Sequence, residues 1–213
     1  MKNLLIVTLL LGLLSGCASL LRSQVVVFHQ LPKDPSSTTY VMIPSKEQEG
    51  SLEHKAYEDA VRQELNAKGL RETAVDQAQV AVFLSYAIDT GREVVSSYPI
   101  IGQTGVSSSS TQGTIQSYGS YGTYSGTTTY TPTYGVVGTG VTSGTEYTRI
   151  LKLDIVDKQA LAQGNIKKLY EGKVVSTGSS SQLATVLPTM VKALFEDFPG
   201  QSGSTRTSIL ALR

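Results

Sequence analysis

Between Glu93 and Glu146 the chain carries no aspartate, glutamate, lysine or arginine, an uncharged run of 52 residues in a protein of 213. Ser, Thr, Gly and Tyr supply 38 of the 50 residues at 96–145. Such a run has too little aliphatic surface to offset the entropy of ordering its backbone. It therefore interrupts what otherwise reads as one domain at 25–200, and its composition admits three conformations. A flexible loop leads, for the reason just given. A long hairpin comes second, because threonine and tyrosine are good strand formers and 127–134 is rich in both. A membrane-inserted hairpin of an oligomeric pore comes third. It needs segments of about ten residues with a full apolar face, and 107–134 offers only Ile115 and tyrosines. Six of the eleven tyrosines fall in the run. Tyr118, Tyr121 and Tyr124 at period three, with Tyr130 and Tyr134, are the candidate binding residues, as an adhesive surface or by stacking on sugars. The alternative is a plain soluble loop.

On either side the patterns are those of an ordinary fold. Val25, Val26, Val27 and Phe28 read as a strand, turn residues follow at 31–36, and a second strand is predicted at 39–43. Ser51 opens a helix whose Leu52, Ala56, Ala60, Val61 and Leu65 recur at spacings of three and four, with Glu53 in the first turn and Gly69 as its stop. That pattern places His54 on the exposed side or in the first turn. Val80, Val82, Leu84, Tyr86 and Ile88 alternate along a long strand. Beyond the run, Leu151, Leu153 and Ile155 alternate again, 158–165 reads as a turn or hairpin loop, and 168–176 gives another strand. Leu183, Val186, Leu187, Met190, Val191, Leu194, Phe195 and Phe198 define an apolar helical stripe. Pro188 lies off it and favours a start near Thr185 or a bent first turn. The tail at 201–213 is compatible with an extra edge strand or with a mobile end.

The amino-terminal end addresses the chain. Lys2, an apolar run of about eleven residues and a small-residue exit are the parts of a secretory signal, too short to span a bilayer as a helix. Leu14, Ser15, Gly16 and Cys17 resemble a lipobox, which implies loss of 1–16 and acylation of Cys17. Cys17 is the only cysteine and has no disulfide partner. A triacylated cysteine anchors stably. By the same resemblance Ala18 and Ser19, in place of an aspartate, are sorting residues that direct the protein to the outer membrane, most simply on its periplasmic face. Residues 17–24 then form a lipidated tether.

Without Lys2 the mature chain has 17 basic and 17 acidic residues, which argues against nucleic acid or a polybasic membrane patch as partner. No catalytic pattern is present: His29 and His54 are the only imidazoles, neither sits in a metal-ligand spacing, and Asp89, Asp154 and Asp157 have plain structural readings. The glycines at 138–144 precede a strand, whereas a dinucleotide fingerprint must follow one. No metal and no cofactor is expected, and no enzyme.

The helix segment Tyr57, Glu58, Asp59, Ala60, Val61, Arg62, Gln63, Glu64, Leu65, Asn66, Ala67, Lys68, Gly69, Leu70 and the strand after it, then the strand at 151–157, Leu169-Tyr170-Glu171-Gly172 and a helix ending Phe198-Pro199, resemble the bacterial lipoprotein family of the domain of unknown function 4136. Tyr170 stands where that family usually has tryptophan, and the insert is unusually long. The resemblance implies a lipid-anchored α+β envelope domain and supplies no activity. The expected fold is α+β, a mostly antiparallel sheet of about five strands with two helices packed on one face, plus the low-complexity insert. The expected role is non-enzymatic binding or structure in the envelope, with an envelope protein or glycan as partner. The alternatives are a subunit of an oligomeric secretion or assembly complex, and an envelope hydrolase.

Overall fold

The computed structural model describes residues 19–32 and 35–212. Two compact units result, one built from the chain up to Arg92 and from Glu146 onward, the other from Glu93–Thr145.

The first unit is organised by period-two burial. In β1 (Leu20–His29) Leu21, Ser23, Val25 and Val27 point inward, and in β7 (Lys168–Gly178) Tyr170, Gly172, Val174 and Ser176 do so. β2 (Thr39–Met42) leads into helix α1 (Leu52–Ala67), followed by the two-residue β3 (Arg71–Glu72) and by β4 (Val80–Ile88). β5 (Arg92–Tyr118) and β6 (Tyr121–Asp157) come next, then α2 (Lys158–Ala162), β7, α3 (Leu183–Phe195) and β8 (Ser204–Ala211). The strand order is β3-β2-β4-β6-β7-β1-β8, with β5 paired to β6.

This overturns the expected fold class. Among the described residues the chain is mostly β, with eight strands in a mixed sheet and three helices rather than two. The parallel pairs are β2 with β4 and β2 with β3, Tyr40 facing Val80 and Glu72. They arise because α1 carries the chain from β2 to β4, and a crossover of that length returns the strand parallel where a tight turn would return it antiparallel. The extra strands are β3, the insert strand β5 and the tail strand β8. β1 begins at Leu20, earlier than the valine run suggests, and is paired on both sides: Val25 faces Val174 of β7 and Arg206 of β8. The tail is thus the extra edge strand, closed by a bond from the Leu212 amide to the Ser19 carbonyl (2.8 Å).

The core lies between the sheet and α1 and α3. Leu151, Leu153, Ile155 and Val174 meet Val186, Leu187, Met190 and Leu194 of α3, with Val61 and Leu65 from α1. Pro188 sits inside α3, which starts at Leu183. It cannot donate to the Ala184 carbonyl, yet the helix continues because its apolar side is buried. At Gly172 the absence of a side chain lets α3 close on the sheet: a Cβ there would lie 2.7 Å from Leu194 Cδ1 and from Tyr170 Cε1. The segment predicted as a turn at 158–165 opens with α2, capped by the Asp157 carboxylate, which accepts from the Ala160 amide (3.1 Å).

Helix α1 is rotated from its predicted face. Val61 and Leu65 are buried as expected, but Leu52 is 84% exposed and Ala56 is exposed too, and His54, Tyr57 and Glu58 are buried in their place. Ser51 caps the helix by accepting from the His54 amide (3.2 Å).

Candidate functional site: an uncharged amphipathic hairpin

The insert is neither a loop nor part of a core. Within Glu93–Thr145, strand β5 and the first part of β6 form a hairpin in which no residue with a described side chain is buried. Each arm of about 25 residues is about 80 Å long at the usual strand rise. The turn is Gly119-Ser120, with Gly119 at φ +63° and Ser120 outside the left-handed region. Glycine at the first turn position is what a II′ hairpin requires.

Two devices hold the arms together without burial. One is a set of hydroxyl contacts: Thr111 Oγ1 lies 2.8 Å from Thr128 Oγ1, Thr104 Oγ1 lies 3.2 Å from Thr133 Oγ1, and Ser107 Oγ donates to the Thr131 carbonyl (3.3 Å). The other is aromatic cover over glycine. The Tyr124 ring occupies the space that a Cβ on Gly113 or Gly126 would take, and Tyr98 does the same over Gly140. A side chain laid across a facing glycine shields backbone that would otherwise be bare.

These contacts also sort the side chains. Along β6, Tyr124, Tyr130, Tyr134 and Val136 share one face by alternation. Gly122, on that same face, meets Ile115 of β5, and farther from the turn Gly138 and Gly140 meet Ile100 and Tyr98. The opposite face carries Thr123, Ser125, Thr127, Thr129, Thr131 and Thr133, and Thr104 and Val137 join it through Gly135 and Gly102. Along β6 one face therefore carries the tyrosines, with Thr128 among them against Thr111, and the other is mostly hydroxyl-bearing. The tyrosines were legible as candidates, but not as one surface: Tyr124, Tyr130 and Tyr134 fall together, while Tyr121, 82% exposed, lies on the hydroxyl face beside the turn. Tyr118 closes β5, and its side chain is outside the described residues. Leu14, Ser15, Gly16, Cys17 and Ala18 are outside them as well, and Ser19 is the exposed first described residue.

Charge returns at the strand ends that belong to the first unit. Arg92 donates to the Glu146 carboxylate through Nε (3.0 Å) and Nη2 (2.5 Å). Asp89 Oδ1 accepts from the Gly91 and Thr148 amides (3.0 and 2.9 Å), and these backbone bonds, the Thr148 one foremost, hold its carboxyl below the usual range. Arg149 is buried beside them at 2% exposure; burial lowers its pKa, and its Nη1 donates to the Ser180 carbonyl (3.4 Å).

The titratable residues singled out from sequence do not form one site. His54 lines a depression with Glu58 and Arg62, His29 another with Tyr170 and Ser202, and Asp154 a third with Lys152 and Lys168. His54 Nε2 lies 3.2 Å from Glu58 Oε1 without hydrogen-bond geometry, so the contact is packing beside an ion pair rather than a proton relay. Glu58 instead accepts from Arg62, which also bonds Asp59 and Glu72 and ties α1 to β3. Burial works against the Arg62 charge, but the bonds to Glu72 and Asp59 outweigh it and raise its pKa. His29 Nε2 lies 3.0 Å from the Gly200 carbonyl. Asp154 pairs with Lys168 at 3.0 Å. Asp89 and Asp157 accept backbone bonds, as strand-end and capping residues do.

A search of curated proteins returns no match. Among solved structures, a PDZ domain protein from Parabacteroides distasonis ATCC 8503 is similar at 10% identity and a TM-score of 0.46, over 91% of this chain and 40% of that one. The chain thus spans less than half of that protein. The profile of the family described as domain of unknown function, DUF4136, matches residues 27–200, which takes in both sequence blocks and the hairpin between them, and the chain belongs to that family.

Proposed function

We propose that this protein is a lipoprotein of the bacterial cell envelope, anchored to the outer membrane through Cys17, with a non-enzymatic binding or structural role in which the hairpin is the recognising element. The observation that carries the reading is the hairpin itself: about 25 residues per arm, uncharged from Val94 to Thr145, with an aromatic and aliphatic face left in solvent. An exposed apolar surface of that extent marks an interaction site. Its strand edges offer main-chain pairing and its tyrosines offer stacking, the two modes by which an envelope protein or a glycan would be held. The anchor rests on Leu14, Ser15, Gly16 and Cys17 and on the sorting pair Ala18 and Ser19.

The test is capture from detergent-solubilised envelopes with the native chain and with a variant lacking 96–144. The native chain is expected to retain a partner that the variant loses; equal capture by both would sink the hairpin's role. Labelling with a clickable fatty acid tests the anchor, since Cys17→Ser should take up no label.

A further inference from the structure

We infer that the hairpin pairs with hairpins of other copies of this chain, the free edge of β5 in one copy lying against the free edge of β6 in the next, to build an intermolecular β-barrel. The inference rests on the hairpin being the recognising element and names what it recognises.

Three observations lead there. The first is the pair of open edges. Among the described residues β5 pairs only with β6, and β6 meets β4 and β7 only from Tyr147 onward. Since alternate residues of an antiparallel strand turn their N–H and C=O outward, about a dozen residues per arm present unpaired groups. A two-stranded ribbon is marginal in water and gains independent stability from a third strand.

The second is the missing protection. Solvent-exposed edges are normally blunted by lysine, by inward charges or by proline. Here no charge occurs over 52 residues, and Pro99 and Pro132 are the only prolines in the run. A neutral edge suits a second copy above other partners, because a charged strand repels its own duplicate.

The third is the segregation of faces. Along β6, Tyr124, Tyr130, Tyr134 and Val136 share one face and Thr123, Ser125, Thr127, Thr129, Thr131 and Thr133 the other, so that arm has two unlike faces and gives the ribbon an inside and an outside. A contact between two different edges propagates from copy to copy, and closure into a barrel is the form of it that leaves no edge open.

The experiment is mass measurement of the full lipidated chain in a nonionic detergent, by native mass spectrometry and sedimentation. The native chain should run as an oligomer of several copies. Loss of 96–144 should reduce it to a monomer, with its thermal transition retained as a check on folding. Ser110→Lys with Gln112→Lys places charges on one arm away from the hydroxyl contacts and the covered glycines; it should weaken association by at least about tenfold, because each added copy brings like charges together. A native chain that is monomeric, or an oligomer that survives both changes, overturns the inference. A native monomer that still captures an envelope partner through its hairpin overturns self-pairing and leaves the binding role standing.

Discussion

The two units follow opposite rules. In the first, side chains hold the backbone: Leu151, Leu153, Ile155, Tyr170 and Val174 of the sheet are 0–1% exposed, and α3 is buried along Val186, Leu187, Met190 and Leu194. In the hairpin no residue with a described side chain is buried, and order rests on main-chain pairing, a turn glycine, hydroxyl contacts and rings laid over glycines. Burial specifies the first shape and leaves its surface free to vary. Beyond the rings that cover glycines, the hairpin keeps its apolar groups in solvent, where they add little to the lone chain's stability and are available to a partner.

The sharpest way to break this contrast is truncation on each side of it. Leu153→Ala, at a site with no exposed surface, should lower unfolding stability by about 2–5 kcal/mol, measured by denaturant titration. Ser51→Ala removes the α1 cap and should cost about 1 kcal/mol, read in the same assay. Asp157→Asn addresses pH. The Asp157 carboxyl lies below its ordinary value of 3.8 because the Ala160 amide, and then Lys167, favour the charged form. Its contribution is therefore full above that ordinary value and disappears as pH falls through the lower folded one. The variant should be less stable than native at neutral pH, and the gap should close in strong acid. The smallest effect belongs to Tyr130→Ala, which should change stability by less than about 0.5 kcal/mol. A large loss there would show that the hairpin's apolar face is packed in the isolated chain.

How much was legible follows the same division. Strong alternation announced β4, β6 and β7, and helical spacing announced α3. β1 was shortened because its inward series, Leu21, Ser23, Val25, Val27, contains a serine. β8 was undecided because Arg206 and Ser208 stand in its sequence where an apolar alternation would be sought. The face of α1 was misjudged because Tyr57 and His54 pack on Tyr86, ring on ring at 4.9 and 5.8 Å, while Leu52 stays in solvent. Parallel pairing was missed although a 16-residue helix between β2 and β4 permits it. In the insert, composition pointed to a loop because a hairpin without burial leaves no hydrophobic periodicity. What remained visible was glycine alternating with tyrosine, a signal of ring cover that only the paired arms make readable. The family segment Tyr170-Glu171-Gly172 is explained by packing, since Gly172 admits Leu194 and the Tyr170 ring.

The position of β1 also decides how the first unit meets mechanical load. A pull delivered through the residues before Ser19 enters along the axis of a strand bonded on one side to β7 and on the other to β8, with the Leu212 amide clasping Ser19 at the point of entry. Force in that direction acts on both ladders in shear, so many hydrogen bonds must give way together instead of opening one after another like a zip. A load applied at Ser19 is therefore resisted best when it runs along the axis of β1.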